Sequence, residues 1–177
     1  SNIRIFLKRI FHSVKMEQER ETRFEPGLKL ARHENLGKYL NGEFVPPVNI
    51  EISPSGKCDA GCEWCFYRQE SCSIPGLDGN LFRESRMQGL IEELAGMGVK
   101  SISWTGGGEP TLYPSFLRFT EWVHWSGLRQ GLFTNALKPI NYDPVLFEWI
   151  RVSKTNFPWN EKNLRILRQC KTFGLCI

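Results

Sequence analysis

Val48-Asn49-Ile50-Glu51-Ile52-Ser53-Pro54, running on through Gly56 into Cys58-Asp59-Ala60-Gly61-Cys62-Glu63-Trp64-Cys65, is the stretch whose reading decides the fold of this chain. Val48, Ile50 and Ile52 alternate with polar residues up to Pro54, which predicts a strand that empties into a polar, cysteine-bearing loop. Met87, Leu90, Ile91, Leu94 and Met97 then recur at helical spacing and stop at Gly98, predicting a helix, and Val99 to Thr105 reads as a second strand. The unit repeats. A glycine turn at 106–108 precedes a helix from about Tyr113 to Trp125, ended by Gly127, and Leu128 to Thr134 reads as a third strand. A shorter helix over Pro144 to Glu148 leads to a strand at Trp149 to Ser153, a helix over Glu161 to Lys171 follows, and Leu175 to Ile177 begins another strand.

Alternating strands and helices imply parallel pairing through right-handed crossovers, hence an α/β sheet or barrel. In such sheets ligands bind at the carboxyl ends of the strands. The cysteine loop, the glycine turn, Thr134-Asn135 and Ser153 each follow or end a strand, so all four features are expected at one edge.

Composition sets the class. With 177 residues, 41% hydrophobic and 24% charged, the chain reads as an ordinary globular domain rather than a disordered one. No stretch approaches the roughly 20 apolar residues of a membrane span, and the first residues lack the pattern of a signal peptide. A cytoplasmic location is the expectation, and there six cysteines read better as reduced thiols or metal ligands than as disulfides. The net charge of +4 is carried by residues 1–38, while the remainder balances. Ile3, Phe6, Leu7, Ile10, Phe11 and Val14 fall at helical spacing between Arg4, Lys8, Arg9 and Lys15, so residues 2–20 read as a basic amphipathic helix. Its apolar stripe packs on the rest of the protein in the simpler reading and lies on an anionic surface in the other. Residues 26–47, rich in glycine and proline, read as a connector.

Cys58, Cys62 and Cys65 place three thiols within eight residues. Three thiolates on one short loop suit three irons of a cubane and leave the fourth iron open to chelate a small molecule, whereas a fourth cysteine would close the cluster. The competing reading is zinc, which takes four tetrahedral ligands and usually two separated knuckles. No second knuckle follows, although Cys72, His33 or His12 would be the residues to complete such a site. Cys170 and Cys176 read as small buried hydrophobes.

The spacing Cys-x3-Cys-x2-Cys with Trp64 before its last cysteine resembles the signature of the radical S-adenosylmethionine (radical SAM) superfamily. Trp104-Thr-Gly-Gly-Gly-Glu109-Pro110, after the next strand, resembles that family's Gly-Gly-Glu motif. The resemblance implies that Cys58, Cys62 and Cys65 ligate a 4Fe-4S cluster. Gly106, Gly107, Gly108 and Glu109 would then meet the methionine part of S-adenosylmethionine, Trp64 would lie beside the adenine and Ser153 would hold the ribose. Thr134 and Asn135 sit at the matching edge, although an asparagine after a strand is also an ordinary turn residue.

The family's barrel has about six strand-helix units, and this sequence carries four and the start of a fifth. The implied architecture is a partial (β/α)6-type barrel of parallel strands, incomplete in this chain, with residues 1–47 as helix and connector and 48–177 as the core. The implied activity is reductive cleavage of S-adenosylmethionine to a 5′-deoxyadenosyl radical that abstracts hydrogen from substrate. Flavodoxin or ferredoxin would supply the electron, and the Phe66-Tyr67 pair resembles peptide-modifying members. A family-like scaffold without catalysis and a zinc-binding interaction module are the alternatives, and the sequence leaves the substrate open among peptide, RNA, lipid and small molecule.

Overall fold

A computed structural model describes residues 35–68 and 83–176. The basic helix expected over 2–20 lies outside them, as do Cys72, His12, His33 and Ile177. Contacts divide the chain after Val45. Before that point stands a five-residue helix, α1 (Leu36–Leu40). From Pro46 onward the chain forms a unit of its own.

Its centre is a parallel five-stranded sheet: β1 (Asn49–Ile52), β2 (Ser101–Trp104), β3 (Arg129–Thr134), β4 (Trp149–Ser153) and β5 (Phe173–Cys176), paired in sequential order. Sequential order with no reversal requires every crossover to pass on the same side. The burial pattern agrees. Ile52, Trp104 and Leu132 lie in one row and Thr134 beside Val152 in the next, with Ile102 beside Gln130. All are buried on one face, and they share a single core with Met87, Ile91, Leu94, Phe116, Phe119, Val123, Leu164 and Leu167 from the helices. The opposite face carries Asn49, Glu51, Ser101, Ser103, Phe133, Trp149, Arg151 and Ser153. One helix-covered face and one polar inner face make an open barrel wall, not a doubly wound sheet.

The helices follow their apolar spacing. α2 (Glu84–Met97) buries Met87, Ile91 and Leu94. It ends at Gly98, whose φ of 92° lies in the left-handed region where a side chain would be strained. α3 (Phe116–Trp125) buries Phe116, Phe119, Thr120 and Val123. Trp104 meets Phe116 edge-on at 5.5 Å between centroids, and Phe119 stacks nearby at 6.3 Å. The Trp104 indole N–H donates to Gln130 Oε1 at 2.9 Å, and Gln130 Nε2 donates to the Thr120 carbonyl at 2.9 Å, so the polar centre of the core is closed. α4 (Glu161–Leu167) starts at Asn160, whose side chain accepts from the Asn163 N–H.

Three helix boundaries differ from expectation, and β5 begins at Phe173 rather than Leu175. The helix expected over Pro144 to Glu148 is a 3-10 turn, Pro144–Leu146, opened by Asp143 accepting from the Val145 N–H at 3.0 Å. A segment that short cannot close successive α-helical bonds. The helix expected from Tyr113 begins at Phe116, after a separate 3-10 turn at Pro110–Leu112. The helix expected to reach Lys171 stops at Leu167, so Cys170 is buried as expected but beyond the helix, its thiol donating to the Thr172 carbonyl at 3.2 Å. Cys176 is a correction. It is half-exposed rather than buried, because β5 places it beside Ser153 on the polar inner face.

Candidate functional site

The cysteine loop leaves the carboxyl end of β1, and the segments after β2, β3 and β4 each hold it at a different point. After β2, the Gly107 N–H donates to Ser53 Oγ at 3.1 Å and the Glu109 N–H donates to the Lys57 carbonyl at 2.8 Å. Gly108 lies against the loop's backbone: a Cβ there would stand 2.3 Å from the Lys57 carbonyl oxygen and 2.6 Å from the Gly56 carbonyl carbon. A Cβ on Gly106 would stand 2.4 Å from Ser53 Oγ. Gly108 is therefore required by the close approach of two backbone segments, before any ligand is considered, whereas at Gly106 the close atom is a serine hydroxyl that can rotate away.

After β3, Asn135 donates from Nδ2 to Asp59 Oδ1 at 2.8 Å and, across a longer contact of 3.9 Å, to Cys58 Sγ. Its Oδ1 accepts from the Leu137 N–H at 3.0 Å. After β4, Asn156 Nδ2 donates to the Gly61 carbonyl at 3.0 Å. Gly61 has a φ of 61°, a turn conformation that lets the loop double back between Cys58 and Cys62.

Glu109 sits beneath this clasp and is 3% exposed. Its Oε1 accepts from the Thr111 N–H, the Thr111 hydroxyl and the Thr134 hydroxyl, and its Oε2 from the Asn135 N–H at 2.7 Å. Burial pushes the carboxyl above its ordinary range, and the bonds from Asn135, Thr111 and Thr134 pull against that rise. Four donors aimed at one side chain suit an acceptor-only carboxylate. Thr134 is likewise buried, at 2% exposed, with its hydroxyl committed to Glu109. In this state Glu109 and Thr134 knit the ends of β2 and β3 together.

The three thiols are graded in exposure: Cys58 is exposed, while Cys62 and Cys65 are half-buried. Cys62 and Cys65 are joined by a turn in which the Cys65 N–H donates to the Cys62 carbonyl at 3.2 Å. Partial burial raises the Cys58 thiol, opposed by the Ala60 backbone N–H and reinforced by the charges of Glu109 and Asp59. Among the described residues no three His, Cys, Asp or Glu side chains yet converge as a metal site. The donor set nevertheless fits an iron-sulfur cluster: three sulfur donors on one loop at the ligand-binding edge of the sheet.

Trp64 is 58% exposed and stands outside the clasp, as do Phe66 and Tyr67, whose rings meet edge-on at 5.7 Å. Ser153 ends β4 half-buried on the inner face, opposite Cys176. The structure thus brings Cys58, Gly107, Glu109, Thr134 and Asn135 into one hydrogen-bonded network with Gly106 and Gly108 packed against the loop, ties Cys62 and Cys65 to each other by their turn, and leaves Trp64 and Ser153 apart. Sequence reading missed Ser53, Asp59 and Asn156. A side chain binding a loop backbone carries no motif, and only their positions after strand ends pointed to them. A cavity of about 340 Å³ opens at the other edge, where Asn49, Ser101 and Arg129 begin their strands. It lies away from the cysteines and is not the site.

No family model and no curated protein matches the sequence. Among solved structures the chain is similar to BtrN in complex with AdoMet and 2-DOIA, with a TM-score of 0.54 and 16% identity over 73% of this chain and 57% of that one. It is similar also to Streptococcus suis SuiB bound to S-adenosylmethionine, with a TM-score of 0.51 and 18% identity over 86% of this chain and 38% of that one. SuiB bound to precursor peptide SuiA matches with a TM-score of 0.52 and 17% identity, over 85% of this chain and 38% of that one. The chain thus spans little more than half of BtrN and well under half of SuiB. At these identities the likeness establishes the fold alone, a parallel α/β wall shared with part of BtrN and part of SuiB.

Proposed function

We propose that this chain is the cofactor-binding part of a radical SAM enzyme, in which Cys58, Cys62 and Cys65 hold a 4Fe-4S cluster beside S-adenosylmethionine. The observation that carries the reading is the clasp: loops from three successive strand ends fix a loop bearing three thiols at the carboxyl edge of a parallel wall. When bound, the cluster would supply the electron for reductive cleavage of S-adenosylmethionine and so bring hydrogen-abstracting radical chemistry to the site, with Cys58, Cys62 and Cys65 holding it.

The protein's own residues orient and shield. The Gly106–Glu109 turn and Asn135 hold the cysteine loop against the carboxyl edge of the sheet. The half-buried Cys62 and Cys65 keep part of the site from water. With the Gly107 N–H committed to Ser53, the Gly107 carbonyl and the hydroxyl of Ser153 would be the groups to meet the cofactor, while Glu109 acts by bracing the turn. A peptide substrate is supported by the likeness to SuiB bound to a precursor peptide. A small flavodoxin or ferredoxin would supply the electron, and the reduced thiols suit the cytoplasm.

Anaerobic reconstitution with iron and sulfide, followed by a 5′-deoxyadenosine assay under dithionite, tests the reading. The expected result is about four irons per chain, lost when Cys58, Cys62 or Cys65 is replaced by Ala, with 5′-deoxyadenosine formed. Iron without 5′-deoxyadenosine would make the chain a scaffold, and stoichiometric zinc without iron would make it a zinc module.

A further inference from the structure

The inner face of the sheet carries a cation whose setting the proposed function does not use. Arg151 lies on β4 with Phe133 of β3 as its register partner, and Trp149 stands two residues earlier on the same face. The Arg151 guanidinium carbon is 5.5 Å from the Trp149 ring centroid and 5.9 Å from that of Phe133. The two rings meet edge-on at 4.9 Å. This arrangement is built from the backbone up. Trp149 is the register partner of Gly131, and a Cβ on Gly131 would stand 2.0 Å from the indole, so the absence of a side chain there is what admits the ring.

The rings stand at 68° to each other, so the guanidinium cannot lie flat on both; contact with ring faces consumes none of its five N–H donors, and Arg151 is exposed. Among the described residues none of those donors has a hydrogen-bond acceptor, and the ion pairs are those of Glu84 with Arg118 and Glu148 with Lys171. Glu51, the acid on the same face, belongs to β1, three strands away and therefore about 14 Å distant at ordinary strand spacing. Arg151 also sits two residues below Ser153, or about 7 Å from the edge where the cysteine loop lies. A fork of donors held by two rings and lacking a carboxylate matches the planar geometry of an oxyanion.

We propose that Arg151, held by Trp149 and Phe133, is an oxyanion subsite on the inner face, taking the carboxylate or phosphate of a ligand that enters from the carboxyl edge. That the ligand is the enzyme's substrate rests on the function proposed above. The subsite itself does not.

The test uses the full chain with ¹⁵N-labelled tryptophan, the Trp149 indole signal being assigned by its loss in Trp149→Phe. Propionate and inorganic phosphate are titrated separately at constant ionic strength, first without a cluster and then after reconstitution. The Trp149 signal is expected to move saturably with at least one anion, and the stronger of the two identifies the anion class. In Arg151→Gln the response should vanish or require at least tenfold more anion. Arg151→Lys, which keeps the charge but not the fork, should fall between the two. A saturable response that survives in Arg151→Gln overturns the proposal, as does an equal shift with neutral propionamide or none with either anion. Because binding is read without a cluster, failure to form 5′-deoxyadenosine leaves this result standing, and loss of anion binding leaves the cofactor reading standing.

Discussion

Replacing Gly108 with Ala decides what the glycine turn is for. If the turn is glycine-rich so that a ligand can approach its backbone, the cofactor-free protein should tolerate a methyl group there. The structure gives a different reason. The new Cβ would stand 2.3 Å from the Lys57 carbonyl oxygen, 2.6 Å from the Gly56 carbonyl carbon and 2.7 Å from the Lys57 carbonyl carbon. All three are backbone atoms, so no side chain can swing aside, and restoring ordinary contact needs a separation of about 0.7–1 Å between the loops. The Glu109 N–H to Lys57 carbonyl bond, now 2.8 Å, cannot survive that shift intact. Overpacking costs about 1–3 kcal/mol and a lost buried hydrogen bond about 1 kcal/mol more, so the variant should be less stable by about 2–4 kcal/mol. For a unit of this size the melting temperature should fall by roughly 6–16 °C. Gly96→Ala on the exposed side of α2, where nothing lies within 4 Å, is the control and should be stabilising by about 0.5–1 kcal/mol. The assay is a thermal melt followed by circular dichroism on protein free of metal and cofactor. Melting of Gly108→Ala within a degree of wild type would refute the packing argument and return the turn to a ligand role.

Three further outcomes are expected. Gln130→Leu leaves the buried Trp104 indole N–H without its acceptor and should cost about 1–3 kcal/mol in a denaturant titration, with the fold retained. Glu109 has a raised folded value, so the stability it contributes is fully present below the ordinary carboxylate range and is lost as pH rises through the raised one; the difference in melting temperature between wild type and Glu109→Gln should therefore shrink or reverse as pH rises from about 4.5, whereas a pH-independent difference would contradict the burial argument. Asn135→Ala removes a hydrogen bond aimed at Cys58 Sγ, and since such bonds favour the reduced cluster, an electron paramagnetic resonance titration of the reconstituted variant should give a potential lower by about 30–60 mV.

The legibility of this chain in its sequence follows the range of the interactions concerned. The strands at 49–52, 101–104, 129–134 and 149–153 were readable because burial on one face imposes a period of two that local composition records, and Gly98 and Gly127 marked helix ends because their backbone angles exclude most side chains. The short helix expected after Asp143 was not readable in its true form, since proline at the first position opens a 3-10 turn as readily as an α-helix. Cys176 was misjudged because an apolar run says nothing about which face of an edge strand a residue occupies, and only pairing with β4 sets it beside Ser153.

The site divides along the same line. Its cysteine spacing and glycine turn are local patterns and could be found, but the reason for the glycines could not, because it depends on where Gly56 and Lys57 lie, about fifty residues earlier in the chain. Asn135 shows the consequence most clearly. Read locally it is a turn residue, and its Oδ1 does accept from Leu137 as a turn residue's would. Its amide nitrogen is turned the other way, onto Asp59 and Cys58, while its backbone N–H caps the buried carboxylate of Glu109. One residue thus joins the glycine turn to the cysteine loop, and a displacement of Glu109 reaches Cys58 both through it and through the Glu109 N–H bond to the Lys57 carbonyl. The positions that a ligand would sense are coupled through the scaffold before it binds, and this is why mutations in the turn must be measured on the cofactor-free protein first.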